Sequence, residues 1–167
     1  FIIKNTSMKK IVLLLSLIVL IGCKSKKTTL ETEEKKEEVK FEKLALTTVD
    51  TGLKNKAYEL GKRILMTCNT SKFKPFNETE ATSSVIANIT LEKLSKTCTR
   101  YRQFYGDFKD LQLIEIYKDY QNNTIVFRYK ALYTKKVANK ELRVYMNEEN
   151  KVSAIKSMDW TDLFEMK

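Results

Sequence analysis

The sequence predicts an α+β domain in which N-terminal helices pack on a curved four-stranded antiparallel meander. Three observations predict it. Apolar residues recur at helical spacing from residue 50 to about 105, the period changes to two after Gly106, and short turn signals divide the second half into four strands. Helices first and a run of hairpin-linked strands afterwards is the pattern of a sheet with its helices on one side.

The first helix is carried by Leu53, Ala57, Leu60, Gly61, Ile64 and Cys68, with Leu65 and Met66 widening the stripe, and it ends near Asn69. A polar loop follows, whose Phe73 and Phe76 are expected to tuck over the edge of the core. Asn77-Glu78-Thr79-Glu80 reads as a capping-box start for a short second helix through Val85, Ile86 and Ile89. Thr90 caps a third helix with Leu91, Leu94 and Cys98 on one face, and Gly106 closes it.

The strands are predicted at 111–120, 124–135, 141–147 and 151–160, with turns at Gln121-Asn122-Asn123 and Glu148-Glu149-Asn150. In the second strand Ile125, Phe127, Tyr129, Ala131 and Tyr133 share the inner face, while Val126, Arg128, Lys130 and Leu132 take the outer one. In the third, Leu142, Val144 and Met146 point inward.

Ahead of the domain lie three segments. Residues 1–7 precede Met8 and fit no structural role. Residues 8–22 carry Lys9-Lys10 and then an apolar run, Ile11 to Ile21, broken by Ser16. At about 1.5 Å per residue this run is roughly 16 Å long, half of what a membrane span needs. It closes on Leu20-Ile21-Gly22-Cys23, which resembles the lipobox of a bacterial lipoprotein signal. That resemblance implies cleavage before Cys23, acyl chains on its thiol and an envelope address, with the outer membrane facing the periplasm as the leading expectation. Residues 23–49 then form the lipidated cysteine and a charged tether, since the Lys- and Glu-rich stretch buries too little apolar surface to order itself. The Lys-rich, Asn-rich, Gly-poor style, with Pro75 alone among prolines, resembles that of Bacteroidetes proteins.

The domain, residues 50–167, resembles the nuclear transport factor 2-like, cystatin-like superfamily, in particular its lipoprotein branches of unknown function. The resemblance rests on Ile89-Thr90-Leu91-Glu92-Lys93-Leu94, Tyr105-Gly106-Asp107-Phe108, Phe127-Arg128-Tyr129-Lys130-Ala131 and Lys140-Glu141-Leu142-Arg143-Val144, continuing into Asn150-Lys151-Val152. It implies a cone-shaped sheet, a pocket between helices and sheet, and a homodimer through the opposite sheet face.

Composition narrows the chemistry. There is no histidine, so the commonest general base and metal ligand is missing. No motif calls for a cofactor or a metal. Without residues 1–22, 28 basic residues stand against 21 acidic ones, a net charge of +7. An exported chain does not meet nucleic acid as its usual partner, so this charge points to anionic headgroups or wall polymers, or to a solvated surface. With Cys23 given to lipid, Cys68 and Cys98 remain, and an oxidising compartment favours a bridge between them. Its loop of about 30 residues is worth on the order of 3–4 kcal/mol in the chain-entropy description, and both side chains are expected to be buried.

Candidate pocket groups are Tyr117, Tyr129, Tyr133 and Asp159, together with Glu115. Enzymatic members of the superfamily resemble ketosteroid isomerase, where a carboxylate and a tyrosine act in an apolar pocket. Tyrosines are also ordinary strand residues, and a non-enzymatic binding domain is the favoured reading over an isomerase-like or dehydratase-like enzyme or a purely structural dimerising tether. Arg128, Lys130 and Arg143 form a candidate face for an anionic partner, expected to be solvated. Trp160 is expected to pack under the first helix.

Overall fold

The computed structural model describes residues 40–165. The signal-like segment and Cys23 lie outside the described residues. The elements run β1 (Phe41–Leu44), α1 (Thr51–Thr70), α2 (Ser83–Asn88), α3 (Leu91–Tyr105), β2 (Phe108–Asp119), β3 (Thr124–Tyr133), β4 (Lys140–Met146) and β5 (Val152–Asp159). The strands make one open antiparallel sheet in the order β1-β2-β3-β4-β5.

The sheet has five strands, not four. Phe41–Leu44, assigned to the tether from its charge, pairs with β2 from Phe41 opposite Asp119 to Leu44 opposite Ile116. The folded domain therefore starts near residue 40 rather than 50, and Val49 is already buried. Four residues are too few for a period to show through the neighbouring charges.

Helix α1 begins where Asp50 accepts the Leu53 amide. Its stripe of Ala57, Leu60, Ile64 and Leu65 is buried against the sheet. Gly61 marks the closest approach: a Cβ there would lie 2.9 Å from Leu142 Cδ2 and 3.1 Å from Val144 Cγ2. On this face Phe127, Tyr129, Ala131, Leu142, Val144 and Met146 meet the helix in one apolar core. Phe76 is buried and Phe73 packs edge-on to it, so the loop aromatics do close the core edge.

The capping-box motif at residue 77 forms without a helix behind it. Asn77 Oδ1 accepts from the Glu80 amide and Glu80 Oε2 accepts from the Asn77 amide, but Ala81 bridges to Val152 and the helix starts only at Ser83. Helix α3 starts at Thr90, whose side chain accepts the Lys93 amide, and ends at Gly106 with φ of 77°, where a Cβ would strike Thr134.

Cys68 and Cys98 are bridged, with Cα atoms 4.7 Å apart. Both are half-buried rather than buried. No residue of α3 is fully buried, so the disulfide is a principal tie between this helix and α1. Among the described residues no helix is long and apolar enough to cross a membrane.

Candidate functional site

The face of the sheet turned away from the helices is the unusual part of the molecule. Strand alternation places Glu115 and Tyr117 of β2, Val126, Arg128 and Lys130 of β3, and Glu141, Arg143 and Tyr145 of β4 on it. Such a face is ordinarily wetted. Here Arg128 is 0% exposed, Glu141 0% and Arg143 1%. The expectation of a solvated basic surface is therefore corrected. The charges are covered, and each is paired.

The pairs form a ladder across four strands. Lys43 Nζ reaches Glu115 Oε1 at 2.6 Å, and Arg128 Nη1 donates to Glu115 Oε2 at 2.6 Å. Arg128 Nε donates to Glu141 Oε2 at 2.8 Å, and Arg143 Nε donates to Glu141 Oε1. Arg128 and Arg143 stand directly opposite each other on β3 and β4, a like-charged pair, and Glu141 offsets their repulsion by accepting from both. Burial by itself would push the Glu115 carboxyl up, but hydrogen bonds from Lys43, Arg128 and Tyr117 outweigh it and hold the group below its usual range. Burial also tends to strip the proton from Arg128, and its bonds to Glu141 and Glu115 reverse that. Tyr117 is pushed up to about 12, first by burial and then by the Glu115 carboxylate beside it.

The cover is the chain's own C-terminal segment, residues 160–165. Trp160 lies over Arg128, with the guanidinium 4.0 Å from a ring centroid, and Arg143 sits 4.4 Å from the centroid of Phe164. Phe164 stacks on Tyr117 at 3.7 Å and meets Phe41 edge-on. The two arginines also bond to the segment's backbone: Arg128 Nη2 donates to the Thr161 carbonyl and Arg143 Nη1 to that of Glu165 at 2.6 Å. Trp160 thus packs on the face opposite the first helix, not under it. Nothing in the local sequence distinguishes the two sides for a residue just beyond a strand.

The four candidate pocket groups are not brought together. Tyr129 and Tyr133 face the helices, and burial pushes both phenols well up. Tyr129 Oη has no hydrogen-bond partner, with the Tyr58 ring 6.5 Å from its own. Tyr117 is on the other face with Glu115. Asp159 stands exposed at the end of β5, paired to Lys140 Nζ at 2.6 Å, and that contact holds its carboxyl low. Lys130 is half-buried, its ammonium 5.5 Å from the Trp160 ring.

Clefts open elsewhere. One of about 580 Å³ runs beside the disulfide between α1 and α3, lined by Ser71, Ser95, Thr99, Arg102 and Asp107 among others. Two more are smaller: one of about 320 Å³ beside the C-terminal segment, by Lys140, Arg143 and Met158, and one of about 410 Å³ by Asn122, Thr124 and Tyr145. Among the described residues no cluster of three or more His, Cys, Asp or Glu side chains is placed to hold a metal ion.

Sequence reasoning missed the two features that make this face distinctive. Glu141 was not singled out, although strand alternation puts Arg128, Glu141 and Arg143 on one face of the paired strands. The tail aromatics were not assigned to the arginines, because the distance of 160–165 from β3 in the sequence hides the contact. Comparison with known proteins gives no match to a family model, a curated protein or a solved structure.

Proposed function

We propose that this chain is a lipid-anchored envelope protein whose α+β domain is a non-catalytic binding module, docking an extended polypeptide on the sheet face that bears Arg128 and Arg143. The observation that carries the reading is the way the tail is held. Both arginines grip main-chain carbonyls, which any extended segment offers, and the aromatic seats take Trp160 and Phe164, four residues apart. The guanidiniums are fixed by Glu115 and Glu141, so little side-chain entropy is lost when a segment binds. The anchor rests on the resemblance of Leu20 to Cys23 to a lipobox, and acylation with more than one chain gives lasting attachment. Against catalysis stands the separation of Tyr129 and Tyr133, on the helix face, from Tyr117 and Glu115 on the other.

The test uses a labelled peptide with the sequence of residues 160–165. A full chain carrying Trp160→Ala and Phe164→Ala is expected to bind it saturably, and the unaltered chain more weakly, because its own tail competes. Equal absence of binding by both would end the docking proposal. Separately, Cys23→Ala should abolish fatty-acid labelling in a bacterial host, and unchanged labelling would end the anchor.

A further inference from the structure

Among the described residues, α3 is the one helix without a fully buried side chain. Leu91 and Phe104 on it are 42% and 52% exposed, and Leu94 packs half-buried against the core. Toward the strands it is tied by a hydrogen bond between Tyr101 Oη and Ser157 Oγ at 3.0 Å and by Lys135 Nζ donating to the Gln103 carbonyl at 2.7 Å. Both bonds are at exposed positions, where water substitutes for either partner and the net gain is small. The Tyr105 ring adds a contact with Tyr133, centroids 5.8 Å apart. Each end of the helix has a non-helical joint: extended Ile89 and Thr90 before it, and Gly106 with φ of 77° after it.

The Cys68–Cys98 bond is the covalent exception to these light ties. It is placed where a reagent can reach it. Both cysteines are half-buried, and both line the cleft of about 580 Å³ between α1 and α3, beside the exposed side chains of Ser71, Ser95 and Thr99. A disulfide sealed in a core waits for unfolding before a thiolate can attack it, whereas one that lines a cleft can be attacked in the folded state. The two cysteines also sit on supports of unequal firmness. Cys68 belongs to α1, which Ala57, Leu60, Ile64 and Leu65 bury against the sheet, and Cys98 belongs to the lightly held α3.

We infer that the Cys68–Cys98 bond is a redox latch on α3: a dithiol entering the cleft opens it in the folded protein, and α3 then detaches from α1 while the sheet stays folded. One thiolate of the dithiol attacks a cysteine sulfur, the S–S bond breaks, and the other cysteine leaves as a thiolate. The second thiol of the dithiol then displaces the first cysteine from the mixed disulfide. Two electrons pass to the protein, the dithiol ends as a disulfide, and the two protons it gives up end on Cys68 and Cys98. The opening is local because α1 keeps its apolar stripe on the sheet without the bond. The latch sets whether the cleft is a fixed groove between two helices or an open side of the helix layer. It is independent of the peptide-docking face.

The experiment treats the full chain with dithiothreitol, with alkylation and mass spectrometry following Cys68 and Cys98 separately from Cys23. Both are expected to become alkylated without denaturant, at a rate that stays level as urea is raised short of the unfolding transition. In the reduced chain, amide hydrogen exchange over residues 91–105 should quicken by about tenfold or more, while β3 and β4 keep their protection. A chain carrying Cys68→Ser and Cys98→Ser should show the same exchange pattern with no reductant. Thr99→Trp, which narrows the cleft from an exposed position, should slow reduction several-fold. Reduction that proceeds only in step with unfolding, unchanged exchange in α3 after reduction, or loss of protection across β3 and β4 in the reduced or serine-substituted chain would each overturn the latch. An undiminished reduction rate in Thr99→Trp would overturn the cleft as its route.

Discussion

The two faces of the sheet are built from the same strands and solve burial in opposite ways. On the helix face, Leu142 and Val144 meet Gly61, and close packing of apolar side chains does the work. On the other face, the neighbouring residues Glu141 and Arg143 are equally buried, under six residues of tail. There the desolvation of four charges is offset only because every one has its partner. The apolar face tolerates a loss by degrees, whereas the ionic face does not, since removal of one member strands the next.

The adjacent residues Glu141 and Leu142 test this directly. Glu141→Ala leaves Arg128 and Arg143 facing a void and should cost about 3–5 kcal/mol in urea-unfolding free energy. Adding Arg128→Met and Arg143→Leu to it should recover most of that loss, because well-packed apolar groups often replace a buried ion cluster at no cost. Leu142→Ala, one residue along, should cost about 2–5 kcal/mol by cavity formation, with no comparable rescue from changing a neighbour. Equal behaviour of the two positions in the rescue would erase the distinction between the faces.

Titration gives the smallest effect. Tyr117 has its folded pKa raised from 10.0 to about 12. A raised group favours the folded state below its unfolded pKa, so this contribution is complete below pH 10 and is lost as pH rises toward 12. A shift of this size corresponds to on the order of 2 kcal/mol, and Tyr117→Phe should flatten the alkaline loss. At the acid end Glu115, held low, contributes stability above its ordinary pKa of 4.5 that falls away as pH drops through the folded value. Glu115→Gln should remove that part of the acid slope.

Most of the secondary structure was legible in the sequence, since long periodic stretches state their own geometry. The stripe from Leu53 to Cys68, the cap at Thr90, the stop at Gly106 and the alternation of β3 all describe themselves within one short stretch of chain. Contacts between distant segments do not. Phe41 finds Asp119 and Trp160 finds Arg128 through the topology of the whole sheet. Alternation correctly put Arg128 and Arg143 on the outer face, and composition then argued for solvent. What overturned that was a cover supplied by another part of the chain. The cysteine pairing succeeded because only one partner was left for each residue.

The Cys68–Cys98 bond, spanning 30 positions, turns that stretch into a covalent ring containing α2 and the first half of α3. A protease that clips the polar loop at 71–80 therefore makes no second molecule. The two pieces remain joined, and they travel as one band on a gel until a reductant opens the ring.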